Sequence, residues 1–411
     1  MKDNTNSFSE ALILLIEEFS REFQLPELLR ITDNVESLQV IKSKTIRDEK
    51  LLSGNDIDEK IKVDGIIIIA KSKLSDINFH NFLLKLSGFL LEHGRLDQAL
   101  NILTDLLRVI ESKHLKAESF LLMADIYLRK TNWDKAVNNI DNAKKYFELL
   151  NNNYGLAKCK NLLGILHGEK GDISSARKYF MESRALIEDE ENEKFVAEIV
   201  TNIAISENIC GNFTKAKEHF YDAVVRFGKV GDLKKTAELR HNIGMLYLEK
   251  REYEKASKEF GNAILVAIKG NYPTVLTISY LGKANALLKL NALEDSYEYC
   301  YKALEIAIRI EDKLTIADVY RVIGTIERKL KHYNAAVMYL DISLQMNLRT
   351  ENKLNTAETS LELALMYDET GDAQEKINCL NKAQQYYTEI NAVEKVKLID
   401  ELLEPALNRQ N

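Results

Sequence analysis

Five residues at fixed spacing, recurring about every 40 residues, constrain this chain more than anything else in it. In residues 240–264, RHNIGMLYLEKREYEKASKEFGNAI, they are Gly244, Tyr247, Ala256, Phe260 and Ala263, a small, large, small, large, small series. One step back stand Ala204, Glu207, Ala216, Phe220 and Ala223, then Gly164, His167, Ala176, Phe180 and Ser183, then Ala124, Tyr127, Ala136, Ile140 and Ala143. Forward come Ala284, Leu287, Ser296, Cys300 and Ala303, then Gly324, Glu327, Ala336, Leu340 and Ser343, then Ala364, Tyr367, Lys376, Leu380 and Ala383. A first repeat, one slightly shorter step before the others, reads Ser87, Leu90, Ala99, Leu103 and Leu106, which makes eight.

Close packing of a helix pair explains the series. A first helix needs glycine or alanine where a second helix crosses it, the second needs alanine at its own crossing points, and the large residues fill the space between. Apolar residues at helical spacing support two helices per repeat, as in Ile243, Leu246 and Tyr247, then Ala256, Phe260 and Ala263. Between the two helices, Gly94, Gly171, Gly211 and Gly371 occupy the place where a left-handed residue closes the first helix. Asp172, Asn212 and Asp372, each following such a glycine, are expected to cap the second helix. The other turns hold Thr131, Arg251, Asn291 and Lys331 at that place, so glycine is a preference there.

The spacing and residue types resemble the tetratricopeptide repeat. The 40-residue step is similar to its long-helix subclass, found in partner-of-inscuteable adaptors, kinesin light chains and bacterial Rap-type peptide receptors. The resemblance covers residues 79–391 and implies an all-α fold: a right-handed α-solenoid of about eight helix pairs. The family's usual proline near the repeat end is missing, since Pro26, Pro273 and Pro405 are the only prolines. Lys376 takes the place of the second-helix alanine in the last repeat, a departure that questions its packing and suits a terminal position.

Both ends depart from the repeat. Residues 392–411 read as a C-terminal capping helix and tail, with Val393, Val396, Ile399 and Leu403 as its apolar stripe. Residues 1–78 form a helical segment, either degenerate repeats or a separate module, with helices expected over 8–23, after Pro26 and over 35–52. Gly54, Asn55 and Asp56 mark a break, after which GIIIIAKSK is compatible with a buried strand or a helix; the absence of a partner strand favours the helix. No convincing turn or basic recognition helix supports a DNA-reading module in this segment.

Length alone, at 411 residues, would suggest two or three domains, but a repeat array grows in one dimension without splitting. Charged residues make up 29% of the chain, mixed in sign, with a net of −7, so no nucleic-acid or membrane partner is expected. No run approaches the roughly 20 apolar residues of a membrane helix, the N-terminus does not read as a secretory signal, and Cys159, Cys210, Cys300 and Cys379 stand too far apart for a zinc motif. A cytoplasmic protein in a reducing compartment is expected.

No nucleophile–base pair, metal motif or phosphate loop is present, so the expected function is non-catalytic, with no cofactor and no metal. The acidic stretch EDEENEK at residues 188–194 reads as a solvated connection between repeats. The chemistry is expected in a concave groove lined by first helices, whose residues just before and after the small position face a partner. The resemblance implies that amides and basic residues at these offsets bind a partner's backbone or carboxylates. Asn202 and Asn242 stand two before the small residue, Asn285 and Thr325 one after, His241 and Arg321 three before, and Arg328 four after; Asn161 falls one position off the register. An asparagine amide donates and accepts at once and so pairs with an extended backbone of any sequence. Arg321 and Arg328 are expected to clamp a carboxylate. The seventh repeat reads basic at Arg321, Arg328 and Lys329, and the eighth acidic at Glu362, Asp368 and Glu369, which suits a partner of mixed charge. The leading expectation is a scaffold binding a peptide or helix of a partner protein. The alternative is a peptide-responsive receptor whose residues 1–78 control an effector.

Overall fold

A computed structural model describes residues 54–187, 192–390 and 392–408, with residues 12, 15 and 21. The helices expected over 8–23, after Pro26 and over 35–52 lie outside the described residues, except that Leu12, Leu15 and Arg21 are helical. Among the described residues there are helices and turns and no strand. The fold is an all-α repeat solenoid, and the chain divides into two compact bodies, residues 1–191 and 192–411.

In the first body, α1 (Gly54–Lys73) is followed by three pairs: α2 (Asp76–Glu92) with α3 (Leu96–Val109), α4 (Lys113–Arg129) with α5 (Trp133–Leu149), and α6 (Asn153–Glu169) with α7 (Ile173–Ala185). The isoleucine run lies in α1, which starts at Gly54, where the sequence suggested a break. Helical periodicity sorts its side chains: Val63, Ile66 and Ala70 join a core with Phe82, Leu86 and Leu90, while Ile68 is 57% exposed. Of the acidic stretch 188–194, residues 188–191 lie outside the described residues, whereas Asn192 caps the next helix.

In the second body five pairs follow: α8 (Glu193–Ile209) with α9 (Phe213–Lys229), α10 (Leu233–Glu249) with α11 (Tyr253–Gly270), α12 (Pro273–Lys289) with α13 (Leu293–Arg309), α14 (Lys313–Lys329) with α15 (Tyr333–Arg349), and α16 (Lys353–Thr370) with α17 (Ala373–Glu389). Helix α18 (Val393–Asn408) closes the series. The small positions are where helices touch. A Cβ on Gly244 would stand 2.7 Å from the Phe260 ring, and one on Gly324 would stand 2.7 Å from Leu340 Cγ. Phe260 also fills the space at Gly282 of the next repeat, where a Cβ would meet its ring at 2.5 Å. Serines that replace alanine at second-helix crossings remain satisfied: Ser183 Oγ donates to Ala157 O at 2.7 Å and Ser296 Oγ to Ala284 O at 2.8 Å.

Every intra-pair turn has the same left-handed residue, whatever its identity. Gly94, Gly171, Gly211 and Gly371 have φ of 74°, 82°, 78° and 79°, and Thr131, Arg251, Asn291 and Lys331 have φ of 53°, 60°, 61° and 64°. The backbone closes each first helix in one way, as where Thr131 N–H bonds to Leu128 O and Asn132 N–H to Tyr127 O. Asp172 and Asp372 cap their helices as expected. Asn212 does not, because its amide donates to Glu207 Oε2 at 2.7 Å instead.

The last repeat packs despite Lys376. Its stem is covered, its ammonium meets Asp368 at 2.8 Å, and Leu380, Ala383 and Tyr387 remain buried against Ile399 and Leu403 of α18. Val396 is partly buried, but Val393 is 62% exposed, so the capping stripe starts one turn later than the sequence suggests.

Candidate functional site

First helices of successive repeats in the second body line a cavity of ≈ 890 Å³. Its wall contains Ile205, Met245, Asn285 and Thr325, all one residue after the small position. The small residue faces its own second helix, and a step of about 100° around the helix turns the next side chain toward the cavity. One turn further along the same face stand Asn208, Leu248 and Leu288. Asn242, two before Gly244, is exposed and also in the wall.

Four of the seven residues singled out from sequence, Asn242, Asn285, Arg321 and Thr325, therefore share one cavity, and Asn202, His241 and Arg328 stand outside its wall. Asn285 Nδ2 donates to Leu281 O of its own helix at 3.2 Å. Thr325 is only 6% exposed, and its hydroxyl donates to Arg321 O at 2.9 Å. His241 packs into the repeat contact, its ring 5.3 Å from that of Phe260 and its Nδ1 3.4 Å from Ser279 Oγ. Burial pushes its pKa down to about 4, so the imidazole is neutral at neutral pH. Asn161, off the register, is 7% exposed.

The two arginines correct the reading of a charged groove. Arg321 Nη2 lies 3.3 Å from Asp318 and 3.1 Å from Glu358; Arg328 meets Glu362 at 3.2 Å and also Glu369. The basic seventh repeat and the acidic eighth thus pair with each other across adjacent first helices. A clamp on a partner's carboxylate would have to displace carboxylates already in place.

Several wall residues escaped the sequence reading. Glu358 stands six before its small residue, and the recurrence of acids at that offset, Glu118, Glu198, Glu238, Asp318 and Glu358, is the signal that could have found it. Ile205 and Met245 sit at the offset already considered, but as apolar residues they look like core; in the fold they are 41% and 46% exposed. Tyr387 projects from α17 into the wall at a position that holds Phe147 and Phe227 in other repeats, and Lys395 comes from α18. Among the described residues no group of three or more His, Cys, Asp or Glu side chains is placed to hold a metal ion, and no helix is long and apolar enough to cross a membrane.

A family model of the tetratricopeptide repeat matches residues 237–267, which span α10 and α11. That segment is the fifth of the eight helix pairs, so one unit of the all-α repeat fold carries the match. Among solved structures, the chain is similar to the apo form of RapI, with a TM-score of 0.65 at 14% identity over 80% of this chain and 98% of that one. It is similar to a Rap protein complexed with Competence and Sporulation Factor, with a TM-score of 0.53 at 13% identity over 80% and 98%. The apo form of the quorum sensor NprR from B. thuringiensis gives 0.55 at 15% identity over 79% and 97%. Likeness at these identities establishes the repeat fold. No curated protein matches the chain.

Proposed function

We propose that this protein is a non-catalytic interaction scaffold that binds an extended peptide segment of a partner protein in the cavity of the second body. The observation that carries the reading is the wall itself: four successive first helices place Ile205, Met245, Asn285 and Thr325 along one surface, with Asn242 beside them. The cavity volume of ≈ 890 Å³ suits a peptide segment. Asn242 and the Asn285 carbonyl are positioned to pair with backbone groups, and exposed Met245 and Ile205 supply adaptable apolar contact. With a captured partner, Asn242→Ala and Asn285→Ala are each expected to weaken binding by about 1 kcal/mol or more, as hot-spot residues do. Unchanged affinity in both variants by calorimetry would remove the cavity from the reading.

A second reading is a regulatory receptor in which the bound peptide controls an effector through residues 1–78. It draws support from the similar folds of a Rap protein solved with Competence and Sporulation Factor and of the quorum sensor NprR. Small-angle scattering separates the two: a scaffold keeps its dimensions when peptide binds, and a receptor of this kind changes them.

A further inference from the structure

The C-terminal end of the cavity carries charges that do not cancel. Around Arg321 and Arg328 stand four carboxylates, Asp318, Glu358, Glu362 and Glu369. The wall also holds Lys395 of α18, Lys289 of α12 and Glu249 of α10, which leaves five carboxylates against four cations. Burial holds the Asp318 carboxyl above its ordinary range even with Arg321 against it.

A second, independent feature points into the same corner. Tyr387 is 0% exposed, stands in the cavity wall with Glu358 and Glu362, and its hydroxyl has no partner among the described residues. A buried hydroxyl without a partner is costly, and the apolar Phe147 and Phe227 serve the same packing position elsewhere. Burial pushes the phenol up to about 12, so it stays protonated at neutral pH, with lone pairs free to accept. Arg321 Nε, also buried and unpartnered, suits a neutral carbonyl oxygen, whereas a carboxylate would meet the local negative excess.

We propose that this end of the cavity binds a basic side chain, lysine or arginine, of the partner segment, with Glu358, Glu362 and Tyr387 Oη accepting its N–H groups. The proposal rests on the reading of the cavity as a peptide site and adds the chemistry of one subsite. Charge-assisted hydrogen bonds in a partly desolvated corner give it selectivity.

The test uses the full chain and three pools of N-acetylated, C-amidated random heptapeptides whose central residue is fixed as lysine, glutamate or norleucine. At low salt the lysine pool is expected to be retained about tenfold above the others. That preference is expected to disappear in the double variant E358Q/E362Q and to fall several-fold in Tyr387→Phe, which keeps the packing shape. Circular dichroism establishes that each variant is folded; if the double variant is not, Tyr387→Phe decides. Retention of the glutamate pool at or above the lysine pool overturns the proposal, and so does a lysine preference that survives in every folded variant. A fourth pool with free amino termini and central norleucine overturns it by outbinding the lysine pool, since a chain terminus would then be the cation. Equal retention of all pools overturns this proposal alone, while retention of none overturns the cavity reading with it.

Discussion

The middle and the C-terminal end of the cavity are built from the same repeat offsets yet present opposite chemistry. In the middle, Asn242 and Met245 are exposed and Asn285 is tied only to its own helix, so these side chains face outward. At the end, Arg321 reaches Glu358 of the next first helix and Arg328 reaches Glu362 and Glu369. Amides and thioethers at a repeat offset stay available, whereas long charged side chains at neighbouring offsets find each other first. The stacking of repeats decides which groove residues remain open to a partner.

Substitution of Arg321 is expected to separate the two regions most. Arg321→Ala leaves Asp318 and Glu358 without their shared cation in a partly buried setting and is expected to destabilise the protein by about 2–4 kcal/mol. Asn242→Ala, on an exposed surface, is expected to change stability by less than about 0.5 kcal/mol. Denaturant unfolding of both measures the contrast, and equal effects would break it.

Acid tests the buried core behind the amide-rich middle. His241 has its pKa lowered in the folded state to about 4 from 6.5, so the unfolded chain binds the proton first as pH falls. The histidine's contribution is therefore fully present above about pH 6.5, is lost progressively down to about pH 4 and is flat below, a change of about 3 kcal/mol. Urea midpoints across this window are expected to vary less in His241→Gln than in the parent.

Packing tests the same region at a smaller scale. Gly282→Ala would push a Cβ against Phe260, which already fills the space at Gly244, and is expected to cost about 1–3 kcal/mol in thermal unfolding. The smallest expected effect is a gain. Lys331 holds φ of 64° in a turn where other repeats have glycine, and Lys331→Gly is expected to stabilise by about 0.5–1 kcal/mol, as read from denaturant midpoints. A loss would show that the Lys331 side chain contributes more than its backbone costs.

Much of the fold was legible in the residues. Gly244, Ala256, Phe260 and Ala263 recur in register because a helix crossing admits only certain volumes, and that constraint is written at each position separately. The capping residue Asp172 and the left-handed Gly171 were legible for the same local reason. The offset one after the small residue pointed to Asn285 and Thr325, and both line the cavity. His241 was misplaced because three residues before the glycine the helix turns toward Phe260 of the following helix, and sequence spacing does not say which neighbour fills that direction.

The sequence by itself determined the repeat, its helix pairs and the face of each first helix, since these follow from side-chain volume, periodicity and turn chemistry within some 40 residues. Only the tertiary structure decided that Arg321 and Arg328 are already engaged, that Tyr387 ends in the cavity wall without a partner, and that Asn212 serves Glu207 and not its helix. Those outcomes depend on distances between residues far apart in sequence, as across the 41 positions from Arg328 to Glu369, and such distances exist only once the helices have stacked.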